Sequence, residues 1–249
     1  MTAAPRHARI GMIVPSSNTC LEPTTYRMLG ERTDVSVHFT RISVTHVAVG
    51  STSDDQFDTA GMAAAATLLA TADVDVIAWN GTAGSWLGTT QDRAVTDAIT
   101  TATGLRALTS TQAYLAAFAA LGVRSVGLVT PYTDDVNAKI GECYRDEGIA
   151  VTAASGFGFT ETTDIASISP QELLAPTRQV ARSDPDAIVY VCTNLHGADA
   201  VDAAETELGL PVLDSVAITL AACLATVGAE PLNPRWGRHL GDSTAGLAG

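Results

Sequence analysis

Asp184-Pro185-Asp186-Ala187-Ile188-Val189-Tyr190-Val191-Cys192-Thr193-Asn194-Leu195-His196-Gly197 is the stretch on which the fold turns. A turn opens it, and Ala187 to Val191 is an unbroken apolar run rich in β-branched residues, the pattern of a strand buried on both faces. A thiol, a hydroxyl and a carboxamide follow without a gap, and a helical pattern begins at Ala198. Strands buried on both faces belong to parallel sheets covered by helices, and open parallel sheets bind ligands at the carboxyl ends of their strands. Cys192 therefore stands at the mouth of a site, close to the N–H groups of the following helix.

Outward from this strand, strand-like and helix-like segments alternate along nearly the whole chain. Strands are expected at Arg9–Val14, Val35–Ile42, Val74–Trp79, Arg106–Thr109, Ser125–Val129, Ala150–Ala154 and Pro211–Leu213. Helices are expected at Leu21–Leu29, Asp55–Ala72, Asp92–Thr103, Ala113–Leu121, Asp134–Glu147, Pro170–Arg182, Ala198–Leu208 and Val216–Val227. That alternation implies βαβ units and an α/β fold with parallel sheets. The tail from Ala229 is rich in proline and glycine and reads as loosely structured.

The chain also repeats itself. Arg9-Ile10-Gly11-Met12-Ile13-Val14-Pro15 matches Ser125-Val126-Gly127-Leu128-Val129-Thr130-Pro131 at a shift of 116. Asp73-Val74-Asp75-Val76-Ile77-Ala78-Trp79-Asn80-Gly81-Thr82 matches the stretch from Asp184 to Thr193 at a shift of 111, and Leu108-Thr109-Ser110 matches Leu213-Asp214-Ser215 at 105. Two copies of one α/β unit, related by a pseudo-two-fold axis, would set equivalent strand ends across a cleft, with Cys192 facing Gly81. The division expected is residues 1–107 plus about 214–249 for the first Rossmann-like domain and 108–213 for the second.

Composition narrows the functional classes. With 46% hydrophobic and 16% charged residues the chain is globular. Its 27 acidic residues against 14 Lys plus Arg give a formal charge of −13, which makes nucleic acid and anionic membrane poor partners. The Ala-rich runs 65–72 and 115–121 are too short to span a bilayer, and residues 1–10 lack an apolar signal core. Cys20, Cys143, Cys192 and Cys223 lie far apart, with neither a CxxC metal pattern nor a secreted disulfide frame, so free thiols in a cytoplasmic protein are expected. No spacing reads as a metal site, and Gly156-Phe157-Gly158 lacks the third glycine of a dinucleotide fingerprint.

Three segments carry a family resemblance: Val14-Pro15-Ser16-Ser17-Asn18-Thr19, Thr130-Pro131-Tyr132-Thr133-Asp134-Asp135-Val136-Asn137, and Cys192-Thr193-Asn194-Leu195. Over nearly its whole length the chain resembles the aspartate/glutamate racemase superfamily, in its maleate cis-trans isomerase and arylmalonate decarboxylase branch. The resemblance implies catalysis without a cofactor, in a cleft between two pseudo-symmetric domains. Typical racemases and maleate isomerases carry a cysteine at both strand ends. Here the first position is Gly81, and glycine first with cysteine second is similar to arylmalonate decarboxylases. An asparagine common after the Gly-x-Gly-x-Thr segment is replaced by Glu161-Thr162-Thr163, which puts maleate in question as the substrate. Phe157 and Phe159 would make a more apolar pocket if they face the cleft.

Racemisation needs an acid and a base on opposite faces of one carbon. Decarboxylation needs less: loss of CO₂ creates the carbanion, fixed donors hold the enediolate, and one acid delivers a proton to one face. Cys192 serves as that acid, with Thr82, the N–H groups of Thr82 and Ala83, Tyr132 and Thr193 as donors, Asn18 for a second carboxylate, and Gly81 and Asn194 on the wall. A helix-end thiol tends toward a lowered pKa, yet a proton donor must rest protonated. The expected activity is thus decarboxylation of a substituted malonate-like dicarboxylate. The alternatives are a maleate cis-trans isomerase or an amino-acid or hydantoin-type racemase, and a non-catalytic small-carboxylate-binding protein. A homo-oligomer is compatible with the sequence. Plainer readings stand beside these: Ser16 to Thr19 as an N-cap turn, His196 as a solvated loop residue, Cys143 and Cys223 as packing, and Ser53-Asp54-Asp55 as a helix start. The missing second acid or base could come from Cys20, a bound water or the substrate itself.

Overall fold

The computed structural model describes residues 7–47 and 57–244. Its first half runs β1 (Ala8–Pro15), α1 (Leu21–Leu29), β2 (Val35–Ile42), α2 (Thr59–Ala70), β3 (Val76–Trp79), α3 (Gly84–Leu87), α4 (Thr89–Thr103) and β4 (Arg106–Thr109). The second half runs α5 (Ser110–Leu121), β5 (Ser125–Thr130), α6 (Asp134–Asp146), β6 (Ala150–Gly156), α7 (Thr162–Ile165), α8 (Pro170–Ala181), β7 (Ala187–Tyr190), α9 (Ala198–Leu208) and β8 (Val212–Asp214). Helix α10 (Ser215–Thr226), a 3₁₀ turn at Pro234–Trp236 and α11 (Leu240–Ser243) complete it. Two four-stranded parallel sheets result, in the orders β2-β1-β3-β4 and β6-β5-β7-β8. The orders superpose as the internal repeat requires. Among the described residues no helix is long and apolar enough to cross a membrane.

Matching turn chemistry builds the two halves. Asp73 and Asp184 both take the left-handed conformation (φ 55° and 54°), which short acidic side chains tolerate. Two residues on, each repeat uses a carboxylate to anchor the adjoining central strand. Asp75 accepts the N–H of Arg9 at 2.8 Å, and Asp186 accepts those of Arg124 and Ser125 at 2.9 and 2.8 Å. This turn takes up Val74 and Asp75, so β3 starts later than its apolar pattern suggests. The inner strands β3 and β7 are buried at every position, whereas the edge strand β6 alternates between exposed and half-buried. Gly127 on β5 is glycine because α8 packs against it: a β-carbon there would lie 2.9 Å from Cγ2 of Val180.

Helix starts follow their capping residues. Thr109 caps α5 by accepting from Gln112 N (3.0 Å), and Asp214 caps α10 by accepting from the N–H groups of Val216 and Ala217, both at 2.9 Å. Both helices therefore begin at a serine, earlier than hydrophobic periodicity alone indicates. Ser169 and Glu172 form a capping box on α8, whose first residue is Pro170. α5 reaches the second sheet through Tyr114, whose hydroxyl donates to Tyr190 O at 2.7 Å. α10 packs on α1 and β3 of the first sheet, and Thr219 donates to Ser110 Oγ (2.8 Å) where the two helices meet.

The tail departs from its reading as loose chain. Leu232, Trp236 and Leu240 are buried, and Arg238 N donates to the buried Glu205 at 2.9 Å. Three well-spaced apolar anchors dock it despite its prolines and glycines. Of the expected helix from Asp55, the described part is α2, opened by Asp58 accepting from Gly61 N at 2.7 Å. Ser53, Asp54 and Asp55 lie outside the described residues.

Candidate active site

A single small cavity gathers the strand ends of both halves. Asn18, Gly81, Thr82, Ala83, Tyr132, Cys192, Thr193 and Asn194, the eight positions picked out by sequence, all line it. Its volume is about 40 Å³, room for a few water molecules at roughly 10–15 Å³ each. That scale suits a small molecule.

Cys192 lies two residues past the end of β7. Its backbone N–H donates to Ser215 Oγ (3.0 Å) at the start of α10. Its sulfur accepts the N–H of Asn194 (3.4 Å), and the N–H of Leu195 also points to it. These donors belong to the turn 192–195, since α9 begins only at Ala198. The expected contribution from a helix end is therefore replaced by a tight turn. Burial pushes the thiol up to about 11, against the lowering effect of the Tyr132 hydroxyl and the turn N–H groups, with the buried Asp214 adding to the rise. Desolvation wins over hydrogen bonding, and the sulfur rests protonated at neutral pH.

Tyr132, two residues past β5, turns its hydroxyl toward that sulfur and lies 3.3 Å from Thr82 Oγ1 on the opposing half. Its burial raises its own hydroxyl well above the ordinary range, so it is a neutral donor. Thr82 and Ala83 open the short turn of α3, where Ser85 N donates to Thr82 O (2.9 Å) and Leu87 N to Ala83 O (2.9 Å). Residues in the first turn of a helix have no intrahelical acceptor for their own N–H groups.

The carboxamides hold the two halves together. Asn18 Nδ2 donates to Thr193 Oγ1 at 3.0 Å, while its oxygen accepts from Cys20 N and Leu21 N at 3.0 and 2.9 Å. Asn194 accepts from Thr19 N (2.9 Å) and Cys20 N (3.2 Å) and donates to Thr162 O (2.7 Å). Thr162, which stands where an asparagine was looked for, lines the cavity, and its hydroxyl joins Ser17 Oγ (2.6 Å) and Thr45 O (2.7 Å).

Apart from Ser17, the rest of the wall is apolar: Pro15, Val44, Val47, Phe57, Trp79, Trp86 and Ile165. Sequence reasoning missed the last six: five come from loops and helices whose meeting is a tertiary event, and the sixth, Trp79, ends β3 with no local sign of where its indole turns. Phe157 and Phe159, the aromatics considered for this wall, are half-buried against the core and do not line the cavity. Three edge or tilted contacts join the pocket aromatics: Trp79–Phe57 (6.2 Å between centroids), Phe57–Trp86 (6.0 Å) and Trp86–Tyr132 (5.3 Å). The Trp86 indole N–H is buried and has no hydrogen-bond partner among the described residues.

Two cysteine readings resolve on geometry. Cys20 is buried and faces away from the cavity, its sulfur 3.3 Å from His196 Nε2, and burial pushes it up to about 12. His196 is thus no free loop residue: besides Cys20 it lies 3.8 Å from Asp199. Cys223 is wholly buried in α10, while Cys143 is half-exposed with its sulfur 3.5 Å from Trp86 O.

Two parallel α/β sheets whose strand ends close on one buried thiol define a protein of the aspartate/glutamate racemase type. The arylmalonate decarboxylase family matches residues 10–240, and the chain belongs to that family. Arylmalonate decarboxylase of Bordetella bronchiseptica is 34% identical over 160 residues, 63% of this chain and 66% of that protein. Maleate isomerase of Geobacillus stearothermophilus is 25% identical over 247 residues, 94% of this chain and 98% of that protein. Among solved structures, a glycine-to-cysteine, cysteine-to-serine double mutant of arylmalonate decarboxylase in its liganded form superposes with a TM-score of 0.82 at 26% identity, covering 93% of this chain and 97% of that one.

Proposed function

We propose that the protein decarboxylates a malonate-like dicarboxylic acid bearing an apolar substituent, with Cys192 as the proton donor to a single face of the enediolate. The observation that carries this reading is a thiol held protonated by burial opposite a glycine, in a pocket whose remaining wall is largely apolar. As the C–CO₂ bond breaks, its electron pair stays on the substrate as an enediolate and CO₂ leaves. Thr82, the N–H groups of Thr82 and Ala83, Tyr132 and Thr193 stabilise the developing charge, as preorganised donors do. The proton on Cys192 sulfur then moves to carbon, and solvent returns a proton to the thiolate. Asn18 and Asn194 act mainly by fixing the two strand ends in register, since their amides are largely committed to the protein.

Cis-trans isomerisation of a maleate-like acid is the second reading, favoured by the near full-length similarity to a maleate isomerase. It requires a second acting group, and Cys20 is directed at His196 rather than into the cavity. Incubation with alkyl- and arylmalonates and with maleate, read by CO₂ release and proton NMR, separates the readings. CO₂ from a malonate supports decarboxylation. Fumarate from maleate contradicts it, and ligand-induced thermal stabilisation without turnover of any acid points to a binding protein.

A further inference from the structure

We propose that Trp79 is the residue that makes this site one-sided: its indole occupies the volume in which a second acid–base side chain on position 81 would stand. A β-carbon built on Gly81 lies 2.3 Å from Trp79 Cζ2, 2.6 Å from Cε2 and 2.8 Å from Cη2. Real β-carbons do not approach ring atoms that closely, so the indole and a side chain at 81 exclude each other. Nor can the indole readily swing aside. Trp79 is 1% exposed and sits against Phe57, itself edge-on to Trp86, which in turn packs edge-on to Tyr132. Dense aromatic packing of this kind resists rotamer change.

The internal repeat shows what the alternative looks like. Trp79 pairs with Ile13 across the first sheet as Tyr190 pairs with Val129 across the second. Tyr190 thus precedes Cys192 by the same two residues that separate Trp79 from Gly81. Its side chain turns toward α8, with its hydroxyl 2.8 Å from Thr177 Oγ1, and the thiol two residues on has room. Trp79 instead lies over its own strand end and lines the cavity. The asymmetry of the site therefore rests on a pair of positions, 79 and 81, and not on the glycine alone.

A planar enediolate can be protonated from either face. With Cys192 on one and the Trp79 indole on the other, the second face meets an indole in place of a second acid–base side chain. In this respect the inference rests on the proposed decarboxylation, but its steric part does not. That part is tested by thermal unfolding of wild type, Gly81→Cys, Trp79→Leu and the double variant. Gly81→Cys should lower Tm by roughly 5–10 °C, as overpacking does in a domain of this size. In the Trp79→Leu background, a change milder than truncation to alanine, the same substitution should have little further effect. An unchanged Tm for Gly81→Cys, or an equal loss in both backgrounds, overturns the inference whatever the substrate proves to be. The chemical part is read as product chirality from a prochiral malonate, a ratio independent of rate. Wild type should give one enantiomer, Trp79→Leu a mixture, and the double variant should racemise the product while Gly81→Cys alone does not. Retained chirality in Trp79→Leu, or racemisation by Gly81→Cys alone, contradicts it. Absence of malonate turnover by wild type would count against the decarboxylase reading, and the unfolding comparison would still decide the steric claim.

Discussion

The hydroxyl of Tyr132 faces the thiol of Cys192, whose pKa it lowers, and lies 3.3 Å from Thr82 Oγ1, so one side chain links the proposed acid of the second half to the turn at Thr82 in the first. Removing that hydroxyl takes away a charge-stabilising donor and one orienting partner of the sulfur. Tyr132→Phe should lower kcat about 10²-fold, the scale of losing one oxyanion donor, with a smaller change in KM. A steady-state comparison on the best malonate checks it, and equal loss in KM and kcat would mean Tyr132 mainly shapes the pocket.

A thiol pushed up to about 11 is almost wholly protonated at pH 7, and its thiolate fraction grows about tenfold per pH unit below that value. Alkylation of Cys192 should accordingly be slow at pH 7 and rise log-linearly to pH 10. Cys143, the half-exposed thiol, would react first, so Cys143→Ser is the proper background, with the modified residue located by mass spectrometry. Rates that level off near pH 7 would mean a thiolate at rest, unfit to donate a proton.

How much of this could be read from the chain depends on whether the signal is local. The Asp-x-Asp turns at 73–75 and 184–186 are local chemistry, and they disclose both the repeat and the parallel strands that follow. Site residues at strand ends, from Asn18 to Asn194, were legible for the same reason: an α/β sheet puts strand ends at its mouth. Rotamers and long-range packing were not. Nothing near Trp79 says that its indole lies over Gly81 while the equivalent Tyr190 turns to Thr177. Val44 and Phe57 reach the pocket through connecting segments, and Ile165 through the one-turn helix α7, none with a pattern of its own. The balance at Cys192 between desolvation and hydrogen bonding is equally a property of the folded surroundings.

Asn194 ties three backbone groups of other segments to the thiol's turn, bonding Thr19 N, Cys20 N and Thr162 O. Asn194→Ala leaves the buried Thr162 O and the part-buried Thr19 N without this partner, while Cys20 N keeps Asn18 Oδ1, and should destabilise the protein by about 1–3 kcal/mol. Chemical denaturation would show this as a lower midpoint with an unchanged slope. A midpoint equal to wild type would mean that water replaces the amide without loss.

Asp214 is buried and pushed up to about 7, and Asp92 to about 6, in each case mainly by desolvation. Both hold their proton more tightly in the folded chain than in the unfolded one. Between the ordinary value of 3.8 and about 7, the folded state therefore binds more protons, and stability falls as pH rises through that window. Asp214→Asn retains a carbonyl oxygen to cap α10 and removes the titration. The difference in Tm between pH 5 and pH 8 should shrink in this variant, and an unchanged difference would show that Asp214 does not titrate in that range.

In the proposed reaction one thiol protonates one face of a carbanion. Its most direct test is decarboxylation of a prochiral substituted malonate in deuterated water, followed by NMR and chiral analysis, with wild type and Cys192→Ala side by side. One deuterium at the α-carbon, a single enantiomer from wild type, and at least about 10²-fold slower turnover by Cys192→Ala are the predicted results. Racemic product from wild type, or undiminished turnover without the thiol, would contradict the account.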